Sequence, residues 1–220
     1  MAPQFLDGKA GFPLSESDHQ ILAQTDDEFI CHDWQQLKDI IASNQLELLK
    51  RKPSDLRRYA AWSSTIKERY GNIGNFICKE RLHWPIDRDP QTLCQNPTPF
   101  ADPRDYKILR NDWPYGLAPD ITHMCVWMKN RIDTTPENGD VTEESRALID
   151  DFVHRTFTSR LSGFSDAADR VIWFKNWTAL QSVGSLEHIH VLVRDIPDKV
   201  IVEWTGEEAR ELSLPNGTPL

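Results

Sequence analysis

The chain has 220 residues, a net charge of −9, a pI near 5.2 and a mean hydropathy of −0.54. This acidic balance argues against broad binding to nucleic acid or to an anionic membrane, but a local cluster of Lys and Arg can still hold a small anionic ligand. No apolar run approaches the length of a membrane span, and residues 1–20 lack the layout of a signal peptide. We therefore expect a soluble, cytoplasmic protein that binds neither nucleic acid nor membrane; the sequence leaves its oligomeric state open.

The cysteines are scattered along the chain and form no CxxC pair. This spacing is unlike a disulfide framework or a zinc ribbon. We expect free thiols, most of them buried, at Cys31, Cys78, Cys94 and Cys125.

The first third of the chain is predicted to be helical. Residues 1–24 mix Pro, Gly, Ser and Asp without a clear period, which predicts a flexible arm. Residues 25–83 are predicted to form a helical subdomain, with apolar residues near helical spacing over 34–49. Ser54 is a good N-cap for a helix that continues to residue 69, and a third helix is predicted over 75–82.

Residues 84–206 are predicted to form an α+β core that carries the site. The prolines of residues 84–120 predict an irregular segment, although its aromatic residues indicate that it is ordered. Helices first, then strands with an intervening helix, indicate an α+β fold with a mostly antiparallel sheet in one compact domain. Strands are predicted over 121–127, 171–177, 188–194 and 199–204, a helix over 143–157, and a frayed tail over 207–220.

The most informative segment is the predicted strand that contains His188 and His190. Because side chains alternate along a strand, both imidazoles project from the same face. Three interpretations are open: two structural, hydrogen-bonded histidines; a metal site; or nucleophilic or acid–base catalysis on a phosphate. A metal would use His188 and His190 with His123 or His83 as the third ligand, since Glu187 lies on the opposite face; His188, His190 and His123 are the first choice. No cofactor is favoured, and a divalent metal is the alternative.

Two further segments carry candidate ligand-binding residues. Asn111 begins a turn that contains Tyr115 and leads to His123 at a loop-to-strand junction, where a sheet presents side chains to a ligand. Lys175 either extends its charge to solvent beside two tryptophans or meets an anion. Asn176 either bonds a sugar hydroxyl or caps the loop.

These segments resemble the fungal N-acetylglucosamine-induced protein 1 family, and the resemblance covers nearly the whole chain. That resemblance implies a cytoplasmic protein linked to the response to amino sugars, but it does not fix a substrate. It extends through the helical part, residues 34–84, and the runs that carry it are KILRNDWPYG (107–116), ITHMCVWMK (121–129), WFKNW (173–177), SV (182–183) and EHIHV (187–191).

A more distant resemblance is to the histidine-triad superfamily, in which Gln-Ser-Val precedes alternating histidines. It implies a histidine-triad-like sheet with His190 as the nucleophile on phosphorus, His188 assisting it, and Gln181 and Ser182 contacting phosphate. The chain departs from that pattern at Leu192, where the superfamily has His or Gln. The loss of this polar group removes a partner for the leaving group or the oxyanion.

We therefore expect a small-molecule enzyme with a histidine-based site that acts on a phosphorylated or nucleotide-sugar-like metabolite, by phosphoryl or nucleotidyl transfer or by hydrolysis. One alternative is acid–base or metal-assisted chemistry on a non-nucleotide metabolite. Another is a ligand sensor or scaffold without catalysis. The predicted catalytic residues are His190, His188 and His123, and the predicted ligand-binding residues are Asn111, Tyr115, Lys175, Asn176, Gln181 and Ser182.

Overall fold

The computed structural model describes residues 11–137, 139–177, 180–181 and 183–208. Its helices surround a four-stranded antiparallel sheet, and most of the N-terminal third is helical. The predicted α+β class with an N-terminal helical extension is therefore confirmed. In the described part of the chain, no helix is both long enough and apolar enough to cross a membrane.

The N-terminal helices follow the predicted pattern with three differences. The helix predicted over 34–49 ends at Ala42, and only a 3-10 turn, Leu46–Leu48, follows it. A helix lies inside the predicted flexible arm. The helix predicted to start after Ser54 begins at Pro53, because proline's fixed φ and missing N–H suit the first helical position. The Ser54 hydroxyl instead bonds the Asp26 carboxylate. The bounds are α1 Glu16–Leu22, α2 Trp34–Ala42, α3 Pro53–Tyr70 and α4 Ile73–Phe76, which continues as a π-helical segment over Ile77–Leu82.

The sheet has the order β1-β2-β4-β3. Its first strand lies within residues 84–120, which were predicted to be irregular; prolines flank this strand but none interrupts it. The strand predicted over 171–177 ends at Phe174, so Lys175 and Asn176 belong to the following loop. The strands are β1 Tyr106–Arg110, β2 Ile121–Met128, β3 Val171–Phe174 and β4 Glu187–Arg194.

Two helices cover the face of the sheet opposite to the N-terminal helices. Helix α5, Glu143–Thr156, begins after its Thr142 cap, as predicted. The prediction of a strand over 199–204 is wrong, because this segment is helix α6, Asp198–Thr205. Pro197 precedes the helix and Gly206 ends it in a left-handed conformation, which are ordinary helix-boundary signals that outweigh the β-branched residues between them.

The sheet is a middle layer with a different cover on each face. Met124, Ile189 and Val191 face the core shared with α5 and α6. The opposite face carries His123, Cys125, Trp127, His188, His190 and Leu192, since these residues alternate with the first set. Buried residues of α2, α3 and α4 cover this histidine-bearing face. The site therefore lies between the sheet and the N-terminal helices.

Candidate functional site

The pairing of β2 with β4 brings His123 and His190 into contact. Cys125 is directly opposite His190 in the strand pairing, and His123 is the diagonal neighbour of His190 on the same face. His123 Nε2 lies 2.9 Å from His190 Nδ1, and Cys125 Sγ lies 3.5 Å from the same nitrogen. All three side chains are at least nine-tenths buried.

Two asparagines bracket this histidine pair. The Nδ2 atom of Asn176 lies 3.2 Å from His190 Nε2 and donates to the Tyr115 hydroxyl at 3.0 Å. Asn111 Nδ2 lies 3.1 Å from His123 Nε2, and the Tyr115 ring stacks on the His123 imidazole. The buried Oδ1 of Asn176 has no partner among the described residues. The structure thus brings together five of the predicted site residues, Asn111, Tyr115, His123, Asn176 and His190.

His188 differs from the other two histidines because, among the described residues, one of its ring nitrogens has no hydrogen-bond partner. Its Nδ1 lies 2.9 Å from the Leu186 carbonyl oxygen. Since a carbonyl only accepts, Nδ1 carries the proton and Nε2 keeps its lone pair. No hydrogen bond to this Nε2 occurs within the described part of the chain, and the ring packs 4.5 Å from that of Trp127. In contrast, both nitrogens of His190 lie within hydrogen-bond distance of other side chains.

Burial keeps these imidazoles neutral. Desolvation lowers the pKa of His123 to about 3, with smaller contributions from Arg51 and His188. Desolvation also lowers the pKa of His190 well below its usual value, and that of His188 although the Leu186 carbonyl and Glu187 oppose the shift. Neutral imidazoles are the forms that attack phosphorus, accept protons or bind metals.

An inner cavity of about 70 Å³ adjoins the site, and His188, His190 and Cys125 form part of its wall. A larger outer cavity of about 410 Å³ lies beside it. The two cavities share four wall residues: Arg51, Tyr59, Ile73 and Tyr115. The two cavities are therefore neighbours that meet at these four side chains.

Arg51 provides positive charge where the two cavities meet. Its guanidinium lies 4.2 Å from the centre of the Tyr59 ring, and its Nε donates to the Trp113 carbonyl at 3.2 Å. Gly116 holds the backbone next to Arg51: its N–H donates to the Lys50 carbonyl, and a side chain at Gly116 would collide with the Phe29 ring. Among the residues that the structure describes, no carboxylate pairs with Arg51.

Among the described residues, two predicted ligand-binding residues, Lys175 and Gln181, form no hydrogen bond with the histidines. Lys175 is buried and forms an ion pair with Glu187 at 3.0 Å. Gln181 donates to the Asn176 backbone carbonyl at 2.8 Å, so it positions the loop that carries Asn176. Ser182 lies outside the described residues.

Sequence reasoning did not select Arg51 or Cys125 for the site. Cys125 carried a usable signal, because it is two residues from His123 on the same strand and so shares its face. Arg51 carried no such signal. It lies just before α3, about 70 residues before Cys125 in the chain, and only the tertiary fold brings it to the cavity.

A family model described as a protein of unknown function, DUF3605, matches residues 33–194. The chain belongs to this family. The matched range contains Arg51, Cys125 and the three histidines of the DUF3605 site. The predicted resemblance to N-acetylglucosamine-induced protein 1 is confirmed: the Candida albicans protein of that name is 33% identical over 196 residues, covering 82% of this chain and 76% of its own length.

Two other proteins are similar to this DUF3605 chain. An uncharacterized protein of Saccharomyces cerevisiae is 30% identical over 162 residues, covering 73% of this chain and 77% of its own length. The crystal structure of HTC1 aligns with a TM-score of 0.57 and 27% identity, covering 76% of this chain and 86% of its own. The likeness to the histidine-triad superfamily stays a prediction.

Proposed function

We propose that the protein is an enzyme that transfers or hydrolyses a phosphoryl or nucleotidyl group of a small anionic metabolite. The observation that carries the proposal is the neutral His188 imidazole: its Nε2 has no hydrogen-bond partner among the described residues, and the residue lines a cavity that Arg51 also borders. An unprotonated imidazole nitrogen supplies a nucleophile or a base, and an unpaired guanidinium neutralises phosphate oxygens.

In the nucleophilic form of the reaction, His188 Nε2 forms a bond to phosphorus while the bond from phosphorus to the leaving oxygen breaks. Water or a second hydroxyl then attacks phosphorus, and the N–P bond breaks. Arg51 stabilises the negative charge on the phosphoryl oxygens in both steps. The Leu186 carbonyl holds His188 in the required tautomer throughout.

This assignment changes the roles that the histidine-triad resemblance implies. That resemblance makes His190 the nucleophile, but the His190 nitrogens lie 2.9 and 3.2 Å from His123 and Asn176. We therefore assign the nucleophile or base to His188 and a positioning role to His190 and His123.

The sizes of the cavities support a substrate with a small reactive group and a larger body. The inner 70 Å³ is roughly the share of two water molecules in the liquid, which suits one phosphoryl group. The outer 410 Å³ falls within the range of small-molecule pockets, roughly 300–1,000 Å³. The name of the Candida albicans relative supports amino-sugar phosphates and nucleotide sugars as the first candidates.

The test is ³¹P NMR of glucosamine 6-phosphate, N-acetylglucosamine 6-phosphate and UDP-N-acetylglucosamine incubated with the full chain. We expect turnover of at least one probe and a loss of at least about 100-fold in His188→Ala. His154→Ala, which removes an exposed imidazole of α5, is the matched control and should keep full turnover. Near-UV circular dichroism checks that each variant is folded.

Three results would reject the proposal or its assignment of His188. A folded His188→Ala variant with wild-type turnover would remove His188 from the chemistry, and a greater loss in His190→Ala than in His188→Ala would restore the role implied by the resemblance. Failure of the wild-type protein to change any phosphorus signal of the three probes would reject this substrate class.

Acid–base chemistry on an anionic metabolite without phosphorus is the second candidate. It is favoured by the same unpartnered Nε2, which accepts a proton as readily as it attacks phosphorus. It predicts that His188→Ala loses turnover of a carboxylated amino-sugar derivative while all ³¹P signals stay constant.

A ligand sensor without turnover is the third candidate. Leu192 is fully buried among apolar residues where the histidine-triad pattern has a polar group, which leaves the site one catalytic partner short. This hypothesis predicts that one of the three probes raises the melting temperature of the wild-type protein and of His188→Ala alike, with no product formed.

A further inference from the structure

We propose that His123, Cys125 and His190 form a binding site for a borderline-soft transition-metal cation, Zn²⁺ above all. Their ligand atoms all lie within 4.8 Å of one another. This inference goes beyond the proposed function and does not rest on it.

The geometry requires little movement. In a tetrahedral zinc site with Zn–N near 2.0–2.1 Å and Zn–S near 2.3 Å, neighbouring ligand atoms lie roughly 3.3–3.6 Å apart. His190 Nδ1 lies 3.5 Å from Cys125 Sγ and 2.9 Å from His123 Nε2. The two imidazoles must separate by about half an ångström, and Cys125 Sγ, which lies within 4.8 Å of the His123 ligand nitrogen, must approach it by up to about 1.2 Å. Side-chain torsions provide these movements, while the paired strands fix the three backbone positions.

Asn176 supplies the outer partner that a metal-bound histidine needs. If Nδ1 of His190 binds the metal, its proton lies on Nε2 and requires an acceptor. The oxygen and nitrogen of a carboxamide are assigned from their hydrogen bonds, so the Asn176 group can be turned by 180°. Its Oδ1, which has no partner among the described residues, then accepts from both His190 Nε2–H and the Tyr115 hydroxyl.

The ligand set also selects the kind of metal and leaves one position open. One thiolate and two neutral imidazoles favour Zn²⁺ over Mg²⁺ or Ca²⁺, which prefer oxygen. Cys125 and His190 form part of the inner cavity wall, so the fourth position faces the cavity. When the metal–sulfur bond forms, the thiol S–H bond breaks and its proton leaves to solvent. The site then carries one net positive charge, which attracts an anion.

The structure replaces one member of the metal set considered from sequence. His188 is opposite Trp127 in the strand pairing, and its Nδ1 bonds the Leu186 carbonyl, so it lies outside the cluster. Cys125 takes its place because it is directly opposite His190.

The test is titration of the chelator-treated full-length protein with Co²⁺ and with Zn²⁺. We expect one equivalent bound, one proton released per metal, and a thiolate-to-cobalt charge-transfer absorption. Cys125→Ser should abolish that absorption and weaken metal binding at least about 10-fold. Cys78→Ser removes another buried thiol away from the three ligands, and His188→Ala removes the neighbouring imidazole; both should bind metal like the wild type.

X-ray absorption at the zinc edge tests the wild-type protein without any variant. It should show one sulfur near 2.3 Å and two imidazole nitrogens near 2.0–2.1 Å. A first shell without sulfur, no stoichiometric metal in folded protein, or equal loss of the cobalt absorption in Cys78→Ser would overturn the proposal. The last two outcomes would leave His123 and His190 as a metal-free hydrogen-bonded pair.

Discussion

Because the histidines are buried, the free energy of unfolding should decrease steeply as the pH is lowered from about 6.5 to about 3. The His123 pKa is about 3 in the folded protein, against 6.5 for the exposed group. As the pH falls below 6.5, the unfolded chain takes up a proton on this residue and the folded protein does not, so the free energy of unfolding decreases. The loss continues until the pH approaches 3.

The magnitude follows from that shift. Each pH unit below 6.5 costs about 1.4 kcal/mol per excluded proton, so His123 alone lowers the free energy of unfolding by about 2 kcal/mol at pH 5. The pKa values of His188 and His190 are lowered as well, so the total loss should exceed that figure. This loss is large compared with the free energy of unfolding of a typical protein, which is roughly 5–15 kcal/mol.

The assay is urea unfolding of the metal-free protein at pH 7 and pH 5. His123→Asn should reduce the pH-dependent loss by about 2 kcal/mol. Leu161→Ala, a core substitution in the opposite layer, should lower stability equally at both pH values. An unfolding free energy that is the same at pH 7 and pH 5, or a pH dependence unchanged in His123→Asn, would refute the burial argument.

Three further predictions concern packing and charge. Lys175→Met should cost about 3 kcal/mol because it leaves the Glu187 carboxylate, whose side chain is only 16% exposed, without its cation. Adding Glu187→Gln should recover at least half of the loss in a double-mutant cycle. Leu192→Ala should cost about 3–5 kcal/mol in urea unfolding because the cavity forms between the sheet and α2; a cost under about 1 kcal/mol would show that α2 does not close this position. Glu207→Ala should lower the free energy of unfolding by about 1–3 kcal/mol, because the Glu207 carboxylate bonds the buried Arg81 guanidinium. An unchanged melting curve would show that Asp112 alone is enough to compensate the charge of Arg81.

Local sequence patterns predicted most helices and strands correctly. They failed where tertiary packing or the residues at a helix boundary determined the secondary structure. Residues 199–204 are rich in apolar and β-branched types, which favours a strand by propensity. In the fold this segment is helical, and Trp204 packs against Phe157 beyond the end of α5. Glu207, predicted to begin a frayed tail, instead bonds Arg81 and the backbone N–H of Arg110.

The sequence determined which side chains share a face. Alternation along β4 placed His188 and His190 together, because side-chain direction along a strand has a period of two whatever the surroundings. The tertiary structure decided what they meet, because strand register and helix packing depend on contacts between distant segments. Pairing with β2 put Cys125 and His123 beside His190, the fold brought Arg51 to the cavity, and burial under the N-terminal helices made the imidazoles neutral.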